Sequence, residues 1–71
     1  MTFNLDHALV LSHTCHIGTI KESTAAYEQL LDMTAGLSYA RINSILDYLP
    51  LNGDNLALIS ILRDLKDEAE L

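Results

Sequence analysis

Several residue types that would narrow the fold class are scarce in this chain of 71 residues. It has one cysteine, which excludes an internal disulfide framework. One proline and three glycines in a charge-mixed chain argue against wholesale disorder. Cations are few, because ten acidic residues face four lysines and arginines, giving a net charge of −6 and a pI near 4.6. This balance disfavours nucleic acid, whose loose binding depends on neutralising phosphates, and equally disfavours an anionic membrane surface.

Long apolar runs are also absent from the sequence. No stretch approaches the ~20 residues that a membrane-spanning helix needs. The first cation is Lys21, so the apolar residues 8–11 lack the basic region that precedes the core of a signal peptide. The single cysteine, Cys15, fits a reducing compartment. We therefore expect a cytoplasmic protein with no membrane partner.

The apolar pattern predicts an all-α fold, a small bundle of four to five short helices that forms one domain over residues 1–71. Gly18, Gly36 and Gly53 each follow a stretch with helical periodicity, where a helix ends or a loop begins. The first predicted helix runs from an Asn4 cap to Ile17, and the second from a cap at Thr19, Ser23 or Thr24 to about Thr34. The third begins at Tyr39 after a Ser38 cap and is ended by Pro50. The fourth runs from Leu56, after a cap at Asp54 or Asn55, to about Glu68.

The last predicted helix has more apolar residues than one stripe can hold. Seven of the ten residues from 56 to 65 are apolar, so this helix is either central or meets a second subunit. Because a chain this short buries only about 60% of its unfolded surface, we expect a homodimer. The expected dimer or partner interface consists of Leu58, Ile61, Leu62 and Leu65. The acidic tail, about residues 66–71, is expected to fray.

A metal site is the first chemical interpretation that the sequence invites, through His7, His13, Cys15 and His16. On a helix, His13 and His16 lie about 60° apart, but Cys15 points about 160° away from His13. No further zinc pattern supplies the missing ligands. We expect neither a metal nor a cofactor. A chain of this size also lacks the bulk to enclose a pocket of ~300 Å³, so we expect no small-molecule substrate and no enzymatic activity.

A second motif lies in the middle of the chain. Leu31 is followed by Ala35-Gly36-Leu37-Ser38, and then by Ile42 and Ile45 at helical spacing. This pattern, within about residues 27–49, resembles the helix-turn-helix of phage Cro and repressor proteins, although Asp32 stands where that family usually has a small residue. The resemblance implies that the second helix enters the DNA major groove. The implied DNA-binding face is Ser38, Tyr39, Ala40, Arg41, Asn43 and Ser44, with Asn43 reading adenine.

Two classes of function remain open at this point. The resemblance implies a transcription regulator that binds a DNA operator as a dimer. The charge of −6 favours a non-enzymatic regulator, similar to an inhibitor or antirepressor, that occupies a basic surface of a partner protein through the same face.

Overall fold

The computed structural model describes residues 3–70. This range contains four α-helices joined by short connections, and no strand. The helices are α1 (Leu5–Ile17), α2 (Ile20–Thr34), α3 (Tyr39–Tyr48) and α4 (Leu56–Glu70). The predicted all-α fold is confirmed, with four helices. None of the helices described over residues 3–70 is long and apolar enough to cross a membrane.

The first three helices begin at caps that the sequence predicts. The Asn4 side chain accepts a hydrogen bond from the His7 N–H, and the Ser38 hydroxyl accepts one from the Arg41 N–H. At α2, Thr19 is the cap. Its hydroxyl accepts from the Glu22 N–H at 3.2 Å, and the Glu22 carboxylate accepts from the Thr19 N–H at 3.0 Å, which completes a capping box.

The cap of α4 comes from another helix. Neither predicted cap, Asp54 or Asn55, caps with its side chain: Asp54 contacts His13, and the Asn55 amide donates to the Pro50 carbonyl. The Leu58 N–H, in the first turn of α4, donates instead to the Ser12 hydroxyl of α1 at 3.3 Å. Ser12 is fully buried, so α1 satisfies a backbone donor that water cannot reach.

The apolar surplus of α4 is used inside a single chain. α4 is the central helix, since α1, α2 and α3 all pack on it, and α1 also packs on α2. Leu58, Ile61 and Leu62 are 0–2% exposed and Leu65 is half-buried against the same core. This corrects their assignment to a dimer interface, because their side chains already fill the core. α4 extends to Glu70, so residues 66–70 of the acidic tail are helical, and the fraying of this tail stays a prediction.

The two helices of the predicted helix-turn-helix are held apart by this arrangement. Within residues 3–70, α2 and α3 make no close backbone contact with each other, and each packs on α4. The turn glycine, Gly36, has a negative φ and no atom within 4 Å of where a Cβ would lie. Asp32 is exposed, so its carboxylate lies in solvent and not against the packed core. The structure therefore has the expected turn and cap but a different packing around them.

We predict that Ser12→Ala lowers the free energy of unfolding by about 1–2 kcal/mol. The substitution leaves the buried Leu58 N–H without an acceptor, which costs about 1–3 kcal/mol, and the higher helix propensity of Ala returns a few tenths. Urea denaturation measures the change. Ser60→Ala, at an exposed position of α4, is the matched control and should be neutral or slightly stabilising. Equal effects of the two substitutions would contradict the proposed role of Ser12.

The capping box predicts an acid-dependent part of the stability. Hydrogen bonds from Thr19 lower the pKa of the Glu22 carboxyl below its usual range. Glu22 therefore stabilises the fold above its unfolded pKa of about 4.3, and this contribution is lost as the pH falls through the lower, folded pKa. Thermal melts should show Glu22→Gln less stable than wild type at neutral pH, with the difference shrinking as the pH falls below the unfolded pKa of about 4.3. Glu68→Gln, at the exposed C-terminal end of α4, is the control and should be at least as stable as wild type at neutral pH, because it removes a negative charge from the negative end of that helix.

Candidate functional site

The residues predicted to bind DNA or a partner lie on the outer side of α3. Ser38, Tyr39, Ala40, Arg41 and Ser44 are exposed and Asn43 is half-buried. We call these six residues the α3 face. Ile42 and Ile45 point the other way and are buried in the core. The helical periodicity of the sequence thus separated the exposed from the buried residues of α3 correctly.

Contacts within the chain already engage three side chains of the α3 face. The Tyr39 hydroxyl donates to the Glu70 carboxylate at 2.6 Å. The Ser38 hydroxyl is used as the cap of α3, and the Arg41 guanidinium lies 6.0 Å from the centroid of the Phe3 ring. Arg41, the cation of this face that could contact a phosphate, therefore stands over the Phe3 ring, and the Glu70 carboxylate lies at the start of the α3 face.

A groove between α3 and α4 borders the α3 face. The two helices run antiparallel, so the acidic end of α4 lies beside the start of α3. The groove has a volume of about 470 Å³ and combines apolar and charged side chains. Its lining residues are Leu46, Asp47, Leu49, Leu51, Ile59, Arg63, Lys66, Asp67 and Glu70. We call Asp67 and Glu70 the acidic edge, since they lie where the groove meets the end of α4.

The acids at the end of α4 oppose the stability of their own helix. The C-terminus of a helix carries a partial negative charge, so carboxylates there are unfavourable and cations favourable. The last turn of α4 has no basic residue and includes Glu68 and Glu70. Arg63 and Lys66 stand four residues before Asp67 and Glu70, a spacing at which opposite charges attract, and Glu70 also lies by the positive N-terminal end of α3. The helix dipole nevertheless disfavours Glu68 and Glu70 at this end of α4.

The histidines and the cysteine of α1 make separate contacts. His13 Nδ1 lies 2.8 Å from Asp54 Oδ1, and the His16 ring lies where a side chain at Gly53 would have to go. The Cys15 thiol is half-buried, with its sulfur 3.6 Å from the Ser23 carbonyl oxygen. Over residues 3–70, no three His, Cys, Asp or Glu side chains form a group that could hold a metal ion. Sequence reasoning missed the His13–Asp54 contact, because the partners are 41 residues apart.

Comparisons with known proteins add no relative to this description. No family model matches the chain, and neither the curated proteins nor the solved structures contain a similar protein. A function can therefore be inferred only from the geometry and charge of the chain itself.

The environment of Cys15 predicts a slow thiol. Burial raises the pKa of the Cys15 thiol, which reduces the fraction of the reactive thiolate near neutral pH. We expect Cys15 to react with iodoacetamide at pH 8 several-fold more slowly than a cysteine placed at exposed position 60, in a Ser60→Cys and Cys15→Ser double variant. Mass spectrometry over time measures both rates. A faster reaction of Cys15 would point to an activated nucleophile and contradict the environment described here.

Proposed function

We propose that this protein is a regulator that acts by binding a basic surface of a partner protein through the acidic edge and the neighbouring α3 face. The observation that carries this proposal is the hydrogen bond from Tyr39 to Glu70, which brings the acidic end of α4 to the start of the α3 face. Asp67 and Glu70 add their charge at the place where a ligand of this face would lie.

The electrostatics of this surface favour a cationic protein over DNA. The net charge of −6 accelerates encounter with a positively charged partner and repels a polyanion. On the α3 face itself the one cation is Arg41, whereas DNA-binding surfaces usually concentrate several. The separation of α2 from α3 by α4 also supports a protein target, because the resemblance to repressors implies a compact pair of helices.

DNA binding remains a second candidate function. It is favoured by one observation, namely that all six residues of the α3 face are exposed or half-buried. A surface helix with Asn43 and Ser44 along its outer side could present hydrogen-bonding groups to base edges. This function would require the acidic edge to move away from the DNA, since Glu70 otherwise lies close to the phosphates that Tyr39 and Ser38 would contact.

A charge-reversal experiment tests the proposed function. The probe is a fluorescent lysine-rich amphipathic peptide, and binding is measured by anisotropy at low and at moderate salt. We expect wild type to bind it and Asp67→Lys/Glu70→Lys to weaken binding about tenfold, which corresponds to about 1.4 kcal/mol. The matched control is Asp64→Lys/Glu68→Lys, which changes the net charge equally at two positions of the same helix that do not line the groove, about 110° around the helix from the acidic edge.

The outcomes separate the two candidate functions. Similar weakening by both double variants would show that only the overall charge matters, and would contradict the acidic edge as the site. Selection from a random duplex DNA pool at low salt provides the second measurement. An enriched DNA site whose binding falls by about 1–3 kcal/mol in Asn43→Ala would replace protein binding with DNA binding.

A further inference from the structure

α2 carries an uncovered apolar stripe on the side next to its buried face. The stripe consists of Ile20, Thr24, Tyr27 and Leu31, and we call it the α2 stripe. Ile20 is 89% exposed, and Tyr27 and Leu31 are 42% and 44% exposed. The core contacts of α2 are made by other residues, chiefly Ala26, Leu30 and Met33. The α2 stripe therefore lies beside the buried core and not within it.

A groove lies along the α2 stripe. It has a volume of about 510 Å³ and is lined by Cys15 of α1 and by Ser23, Thr24, Tyr27, Glu28 and Leu31 of α2. A groove beside exposed apolar residues is the surface into which the side chains of another helix can pack. The α2 stripe and this groove together form a surface suited to one additional helix.

The spacing of the stripe specifies the geometry of that helix. Residues 20, 24, 27 and 31 are separated by four, three and four positions, which is the d-a-d-a spacing of a coiled-coil seam. The positions that flank this seam on its solvent side, one residue after each d position, are Lys21 and Glu28. Such flanking positions form interhelical ion pairs and set partner choice and orientation.

This arrangement is complementary to itself. If two copies of α2 pack antiparallel about a two-fold axis between Thr24 and Tyr27, Ile20 of each copy faces Leu31 of the other. Lys21 of each copy then lies beside Glu28 of the other, and the symmetry makes this ion pair twice. A lysine-rich helix packed on the α2 stripe would instead place its positive charges beside Lys21, one of the four cations in the chain.

We propose that the protein forms a symmetric dimer in which α2 packs antiparallel on α2 of a second copy. The α2 stripe spans about 16 Å, at 1.5 Å per residue. Because one helix offers less than the ~800 Å² per partner of a typical stable complex, we expect a weak, reversible dimer. This dimer does not depend on the proposed function, because the acidic edge is on α4.

Sedimentation equilibrium of the full chain over a wide micromolar range is the primary test. We expect wild type to be dimeric at the upper end and Ile20→Asp to be monomeric there. Ile20 is the exposed first residue of α2, where an added carboxylate suits the helix N-terminus, so the monomer fold should persist. Leu56→Asp is the matched control, since Leu56 is the 53% exposed first residue of α4, and it should dimerise like wild type. Circular dichroism verifies helicity in all three.

A charge swap tests the antiparallel register. Lys21→Glu and Glu28→Lys should each weaken dimerisation about fivefold, because each places like charges together twice. The double variant should return to the wild-type dissociation constant, since the pair is reversed and not removed. A monomeric wild type, a dimer lost in Leu56→Asp but kept in Ile20→Asp, or a double variant without recovery would each overturn the proposal. One further outcome would overturn the proposal. If wild type is monomeric and Ile20→Asp loses binding of the lysine-rich peptide, the α2 stripe binds a helix of another protein.

Discussion

The backbone N–H of Leu58 points into the interior, where no water can accept its hydrogen bond, and the Ser12 hydroxyl of α1 is the acceptor that replaces water. This contact fixes the start of α4 against the middle of α1. Neighbouring contacts hold the same junction, since His13 meets Asp54 and the His16 ring packs on Gly53. Because α3 packs on α4, and α2 packs on both α1 and α4, the α1–α4 junction fixes where α3 lies relative to the α1–α2 pair.

Charge is distributed unevenly over this bundle. The carboxylates at the end of α4 work against the dipole of their own helix and lie beside the start of α3. On α2, a lysine and a glutamate flank an apolar stripe at equivalent positions. The first arrangement joins α4 to α3 through the hydrogen bond from Tyr39 to Glu70, and the second leaves apolar side chains of α2 exposed.

Two residues that carry the resemblance to a helix-turn-helix also have a purely local role. Gly36 and Ser38 are residues that any two consecutive helices use at an end and a start, because every helix leaves unpaired carbonyl and N–H groups at its termini. The structure uses Ser38 in this local way. Whether the two helices then pack on each other depends on the faces of α2, and these turn Leu30 and Met33 towards the core while Asp32 stays in solvent.

The sequence by itself determined the helices, the caps of α1 and α3 and which residues of α3 face outwards, because these depend on spacings of three to four residues, whereas it left three candidates for the cap of α2. The fold decided the rest. Leu58, Ile61 and Leu62 have the same apolar pattern whether they meet a core or a subunit, and only the central position of α4 assigned them to the core. Likewise, Ser12 could cap α4, and Glu70 could reach Tyr39, only after the packing of helices had brought together residues 46 and 31 positions apart.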